Sequence, residues 1–272
     1  MKEKLNYQDA EIVNIYDEVN LWTAPFGRLL LENIPMKKGI TIVDVGFGTG
    51  FPLVELSQRF DETSKIYGID IWKGGIERTK EKIQTLQLKN IEILNKSAIE
   101  IDLENSSVDL VTSNLGVNNF DEREKVYIEL HRILKIGGKI SITTNPIGTF
   151  KELFNIFDEV MVESGLTKSI QLLSDYIANR NTEEGIIEEF SNSKFKFVKR
   201  KIESTNMRFM SGESLLNHSL MRIGFREGWD KLVDDADRSK FYTNLCSKLN
   251  RRILENGAFE MTVPILYLEF EK

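Results

Sequence analysis

The segment Val43-Asp-Val-Gly-Phe-Gly-Thr-Gly50 constrains this chain more than any other. A short β-rich run, Ile40 to Val45, enters a turn with three glycines at alternate positions. Pro52 to Phe60 then reads as a helix, with Pro52 tolerated in its first turn. Glycines take backbone conformations closed to other residues and let a ligand come close. The start of the helix offers unpaired N–H groups to an anionic group. Spacing then separates cofactor classes. Gly46, Gly48 and Gly50 form G-x-G-x-G, whereas a dinucleotide fingerprint requires glycine at position 51, where this chain has Phe51. Asp44 lies inside the strand, two residues before the first glycine. Asp70 ends the next strand about 20 residues past the loop, where a carboxylate can accept a ribose diol.

The same alternation continues. Lys65 to Ile71, Ile91 to Leu94, Val108 to Ser113 and Lys139 to Thr144 read as strands. Gly75 to Leu86 and Asp121 to Leu134 read as helices, the second with Asp121 as N-cap and Gly137-Gly138 as its stop. This pattern predicts βαβ units and a parallel sheet. Ahead of it, Tyr7 to Ile34 reads as helical, with Ile12, Ile15, Tyr16 and Val19 on one face. Beyond Pro146 the pattern loosens into helices over Phe150–Ser164, Ile170–Ala178, Thr182–Phe190, Ser214–Phe225 and Asp237–Leu254. Strands are expected over Phe195–Ser204 and Phe259–Phe270, with Pro264 at a bulge or edge.

At this point the chain resembles the class I S-adenosylmethionine-dependent methyltransferases over about residues 40 to 145. Residues 43–50 resemble the first motif of that family, Tyr67-Gly-Ile-Asp70 its ribose-binding strand end, and Glu129-Leu-His-Arg-Ile-Leu-Lys-Ile-Gly-Gly-Lys139 the helix-turn before its fifth strand. The nearest branch is similar to the small-molecule enzymes that include ubiquinone and menaquinone biosynthesis. The resemblance implies a doubly wound α/β fold, a seven-stranded mostly parallel sheet with an antiparallel last strand and helical lid insertions. It implies S-adenosylmethionine as cofactor. Gly46, Gly48 and Gly50, with Thr49 between them, would cradle its methionine end. Asp44 would hold the loop or meet the amino group through water. Asp70 would take the ribose hydroxyls, with Ile71 against adenine. Ser97-Ala98 stands where the family often has Asp-Ala against the adenine amine, so serine is a departure. Asn114-Leu115-Gly116 falls on the rim where open α/β sheets bind ligands. Tyr16-Asp17 resembles a pair whose aromatic ring lies near the cofactor, and Trp22 shares that helical segment.

One domain over 1–272 is expected: a helical cap (1–35), a cofactor-binding core (36–145), insertions (146–181 and 206–257), and core elements (182–205 and 258–272). The cap and insertions are expected to shape the acceptor pocket. Met207, Phe209, Met210, Leu215, Leu216, Leu220, Met221, Phe225 and Trp229 suit either an adaptable apolar cavity or the insertion's own core. The sulfonium donor is already activated, so in-line transfer depends chiefly on positioning. His218 is the candidate general base in the insertion, against a surface or structural role. His131 reads as structural. No Asn-Pro-Pro-aromatic segment follows the fourth strand, where the chain reads Ser113-Asn-Leu-Gly-Val-Asn-Asn-Phe120.

A net charge of −6 argues against nucleic acid as partner, and Lys194, Lys196, Lys199, Arg200 and Lys201 read as the solvated face of an edge strand. The 41% hydrophobic content fits a globular fold. The single Cys246 permits no intrachain disulfide and no cysteine zinc cluster. Met1 to Asp9 is polar, and no apolar run reaches membrane-spanning length, so a cytoplasmic protein acting on a small-molecule acceptor is expected. The competing readings are an NAD-dependent oxidoreductase, a nucleic-acid methyltransferase, and a methyltransferase fold kept as a non-catalytic binding or scaffolding protein.

Overall fold

The computed structural model describes residues 5–18 and 20–272, so Val19 and residues 1–4 lie outside the described residues. The elements run α1 (Ala10–Asp17), α2 (Asn20–Asn33), β1 (Thr41–Val45), α3 (Leu53–Arg59), β2 (Lys65–Asp70), α4 (Lys73–Thr85), β3 (Ile91–Asn95), β4 (Val108–Asn114), α5 (Arg123–Ile133), β5 (Leu134–Thr144), α6 (Lys151–Glu163), α7 (Thr167–Ala178), α8 (Glu183–Asn192), β6 (Lys196–Phe209), α9 (Gly212–Asn217), α10 (Arg226–Asp230), α11 (Asp235–Asn256) and β7 (Phe259–Glu271). The sheet has seven strands in the order β3-β2-β1-β4-β5-β7-β6. Strands β1 to β5 are parallel, and β7 runs antiparallel to β5 from Lys139–Glu271 to Thr144–Leu266. The chain forms two compact units. One takes in the chain up to Thr144 with Glu183–Ile202 and Ile265–Lys272; the other comprises Asn145–Thr182 and Glu203–Pro264.

The central strands β1 and β4 are short, Val-rich and almost wholly buried, as a sheet covered on both faces requires. Val43, Val45, Val111, Ile140, Ile142 and Leu268 share one core with Val126, Leu130 and Ile133 of α5 and Phe190 of α8. Successive connections leave β1 toward β2 on one side and arrive at β4 on the other. The carboxyl ends of β1 and β4 therefore flank the point where the strand order reverses, the place where open α/β sheets bind ligands. Strand β6 ends the sheet order, and Lys194, Lys196, Arg200 and Lys201 are exposed, as an edge position implies. Lys199 is the exception, half-buried and donating to the Asn33 carbonyl at 2.9 Å.

Two local expectations are corrected. Glu122, not Asp121, occupies the cap position of α5, without a side-chain cap bond. Gly137-Gly138 does not stop that helix. Helix α5 ends at Ile133 because buried Leu134 already pairs with Val108 in the sheet, and the register shifts before Leu110–Lys139. Strand β7 lies between β5 and β6, and its pairing with β5 stops at Leu266, so Pro264 lies beyond that ladder, where its missing N–H costs nothing.

The second unit has its own core. Leu153, Phe157, Val160 and Met161 of α6 and Phe241, Leu245 and Leu249 of α11 are buried. Phe157 meets Trp229 and Phe241 edge-on at 5.4 and 5.3 Å. Phe209, Leu215, Leu216, Leu220, Met221 and Trp229 are buried too, so most of the Met and aromatic run packs this unit, while Met210 is 73% exposed. Residues 214–225 are not one helix. Helix α9 ends at Asn217, His218 is extended at φ −58° and ψ 138°, and Met221–Phe225 forms a π-helical turn leading into α10. Among the described residues no helix is long and apolar enough to cross a membrane, and no group of three His, Cys, Asp or Glu side chains could hold a metal ion.

Candidate functional site

The glycine loop leaves β1 with positive φ at Gly46 (76°), Gly48 (56°) and Gly50 (105°). Two of these glycines answer to different demands. At Gly50 a Cβ would meet Thr79 and Val54 at 3.1–3.3 Å, so the protein itself requires glycine there. At Gly48 a Cβ would meet nothing nearer than Trp72 at 4.0 Å, leaving an open face beside the loop. Phe51, where a dinucleotide site needs glycine, instead lays its ring on α2. A Cβ at Gly27 would fall 2.1 Å from it.

Asp70 clamps the loop. One carboxylate oxygen accepts the Gly48 N–H and the other the Trp72 N–H, both at 2.8 Å. A carboxylate offers about four lone-pair sites, so capacity remains for two hydroxyl donors. Helix α4 braces the loop from behind. Thr79 Oγ1 donates to the Gly48 carbonyl at 3.2 Å and Lys82 to the Thr49 carbonyl at 2.8 Å. Lys82 is paired in turn with Asp17 of α1, which also accepts from Arg78 at 2.9 Å. Burial alone would raise the Asp17 pKa, but hydrogen bonds from Lys82, Arg78 and Thr49 outweigh it and hold the carboxyl below its ordinary value.

Asp44 lies in the floor of the site, fully buried on β1. Its Oδ1 accepts from Thr112 Oγ1 at 2.7 Å, while Oδ2 is buried with no partner. Desolvation raises its pKa to about 7, opposed by the Thr112 hydrogen bond and reinforced by Asp70.

The loop after β4 presses on the glycine loop. A Cβ at Gly116 would lie 2.6 Å from Ser113 Oγ and from the Val45 carbonyl. Leu115, at φ 63°, donates its N–H to the Thr143 carbonyl at 2.9 Å. Asn114 spends its amide within the protein, donating to the Thr23 carbonyl at 3.3 Å and accepting from Thr143 at 2.7 Å. Ile71 is 68% exposed beside Asp70, an apolar surface at the strand end. Ala98 is buried, whereas Ser97 is exposed in a turn, its hydroxyl at 3.5 Å from the Ile99 N–H.

Tyr16 meets Trp72 edge-on at 5.0 Å, and Trp72 donates to the Tyr7 carbonyl at 2.7 Å. Desolvation, then the Asp70 charge and Tyr7, raise the Tyr16 phenol pKa. Trp22 is half-buried on α2 against Phe26 at 5.5 Å. His218 belongs to the second unit, where Nδ1 accepts the Leu220 N–H at 3.3 Å and the ring meets Phe209 edge-on. Desolvation lowers its pKa. His131 packs edge-on against Phe195 at 5.2 Å, the structural role expected of it.

The first unit therefore brings together Tyr16, Asp44, the three glycines, Thr49, Asp70 and Ile71. Sequence reasoning missed Trp72, Thr79 and Lys82. Only the Gly74-Gly75 step at the start of α4 hinted at them, since a Cβ at Gly75 would fall 2.6 Å from the Gly48 carbonyl.

Residues 43–142 match the model of a methyltransferase domain. Demethylmenaquinone methyltransferase of Oceanobacillus iheyensis is 29% identical over 144 residues, 51% of this chain and 60% of the relative. The chain thus spans less than two thirds of that curated relative's length. Among solved structures, a SAM dependent methyltransferase from Aquifex aeolicus superposes with a TM-score of 0.55 at 22% identity, over 72% of this chain and 92% of that one. A Haemonchus contortus phosphoethanolamine N-methyltransferase in complex with S-adenosyl-L-methionine gives 0.58 at 17%, over 100% and 61%. At these identities the structures speak for the fold.

Proposed function

We infer, from the match of residues 43–142 to a methyltransferase domain, that the protein transfers a methyl group from S-adenosylmethionine to a small, partly apolar acceptor by in-line displacement. The observation that carries this reading is the pairing of a vacant face at Gly48 with the unpartnered Asp44 Oδ2 beneath the same strand end. A ligand with an ammonium group and a ribose suits that donor and acceptor set. The cofactor supplies an electrophilic methyl group on a positively charged sulfur.

The chain's own residues bind and orient. Gly46, Gly48, Thr49 and Gly50 hold the methionine end, and Asp44 answers its ammonium group, directly or through water. Asp70 accepts the ribose hydroxyls while keeping its two backbone bonds, so ligand and loop are fixed by one carboxylate. Ile71 and Ala98 face adenine, Tyr16 and Trp22 close the α1–α2 side, and the rim residues Asn114, Leu115 and Gly116 frame the site. The name of the curated relative supports a quinone-type acceptor. The whole chain is read as one methyltransferase, with residues 146–181 and 206–257 as insertions in its sequence.

Isothermal titration calorimetry with S-adenosylhomocysteine and with NAD tests the reading. Binding of the first and not the second is expected, and the reverse would overturn it. Asp70→Ala should weaken S-adenosylhomocysteine by about 1–3 kcal/mol. Unchanged affinity would reduce Asp70 to a loop clamp.

A further inference from the structure

Arg180 follows α7 in the second unit and is surrounded there by aromatic rings. Its guanidinium carbon lies 5.8 Å from the ring centre of Tyr176, 5.9 Å from Phe154 and 6.0 Å from Phe225. Nε is buried without a partner, and among the described residues it is Tyr176, through its charge and a hydrogen bond, that favours the guanidinium's charge. Desolvation lowers the Arg180 pKa, the mark of a cation held without a counter-ion. Buried charges in proteins are ordinarily paired, because ring faces offset only part of the lost hydration.

The backbone is shaped around this group. The π-helical turn Met221–Phe225 carries Phe225, and such turns occur often at functional sites. A Cβ at Gly228 would fall 3.1 Å from the Tyr176 ring, so glycine there lets that ring take its place. Arg226 has a counter-ion but also keeps a buried N–H unpaired. Its Nη1 is also buried and unpartnered, it lies 3.9 Å over the Tyr242 ring, and it comes no nearer than 3.6 Å to Asp230, which accepts from Tyr242 at 2.7 Å. Two arginines of the second unit thus each keep one buried N–H without a partner.

We propose that the second unit contains a binding site for the carboxylate of a planar aromatic molecule, anchored by Arg180 and walled by Phe154, Tyr176 and Phe225. The guanidinium is a planar fork that matches a carboxylate in bidentate fashion, and flat rings around it suit a flat ligand. This goes beyond the methyl-transfer reading and is tested apart from it, since S-adenosylhomocysteine binding reports on the first unit.

Calorimetry on the full chain with benzoate, phenyl phosphate and neutral benzamide tests it. Benzoate should bind, benzamide at least roughly tenfold more weakly, and Arg180→Gln should weaken benzoate by roughly tenfold or more, the scale of a charge-assisted hydrogen bond. Equal binding of benzoate and benzamide, or equal benzoate affinity in Arg180→Gln, would overturn the proposal. Tighter binding of phenyl phosphate than of benzoate would overturn the choice of carboxylate. Thermal melting of Arg180→Met without ligand guards against a folding artefact. Removing an uncompensated buried charge should leave the melting temperature equal or higher, and benzoate should no longer raise it. A clear fall in melting temperature would mean that Arg180 holds the unit together by itself, and the site would be withdrawn.

Discussion

The glycine loop at residues 46–50 and the loop at residues 114–118 sit at the carboxyl ends of neighbouring parallel strands, yet their polar groups are disposed in opposite ways. The second loop is satisfied by the protein. Asn114 bridges Thr23 and Thr143, Ser113 donates to the Val45 carbonyl at 2.8 Å, and Asn118 pairs with Thr144. The first is held from behind by Asp70, Thr79 and Lys82, but presents an open face at Gly48 above a carboxylate with one unpartnered oxygen. One loop is frame and the other is receptor. Residues on the frame should register in stability, and residues on the receptor in affinity.

The sharpest break of that contrast is Gly48→Val. A β-branched side chain at φ 56° is strained and would occupy the open face, so S-adenosylhomocysteine binding should fall by about a hundredfold or more. Melting should shift less than binding, because a Cβ at this position meets nothing nearer than Trp72 at 4.0 Å. Normal affinity in this variant would remove the receptor role from the loop. Gly116→Ala should show the reverse. Its Cβ would strike the Val45 carbonyl and Ser113 Oγ, so stability should drop by about 1–3 kcal/mol in urea unfolding. Loss of binding at unchanged stability would place Gly116 in the receptor instead. Asn114→Ala should be milder, about 1–2 kcal/mol of stability, since it strips a partner from the Thr23 carbonyl and the Thr143 hydroxyl. Chemical denaturation alongside calorimetry would expose an affinity effect if there is one.

The last effect concerns protons. With its pKa raised to about 7, Asp44 carries a proton in the ligand-free protein below neutrality. Pairing with an ammonium group demands the carboxylate, so affinity should rise with pH toward about 7 and level off above it, by at most tenfold per pH unit. Folding stability runs the other way. The folded state holds a proton that the unfolded chain has already released, so this group's contribution falls as pH climbs from near 4 to about 7. Asp44→Asn should flatten both profiles. A pH-independent affinity in the unaltered protein would leave Asp44 as a loop support only.

The centre of the sheet was legible because β1, β2, β3 and β4 are brief runs of five to seven residues rich in Val, Ile and Leu. The loop was legible because glycine at alternate positions is read directly from the chain. Elsewhere, apolar spacing over 214–225 could not reveal that His218 turns extended and splits the helix, since the side chains on both sides remain buried. Nor could local sequence assign Leu134 to the sheet, because its partner Val108 lies far back in the chain. In the site, Asp70 announced itself by spacing, whereas Lys82 looks like any helix lysine until Asp17 and the Thr49 carbonyl are brought to it. Arg180 is equally plain in sequence, a single arginine between asparagines.

The Asp17–Lys82–Thr49 brace links α1 to the receptor loop. Through it, ordering at one place is felt at the other, and thermodynamic reciprocity makes the exchange symmetric. Occupancy of the loop should therefore slow deuterium uptake at the amides of α1, remote in sequence from every glycine of the loop. Trimming α1 away should in turn loosen the grip on S-adenosylhomocysteine while the central strands keep their protection.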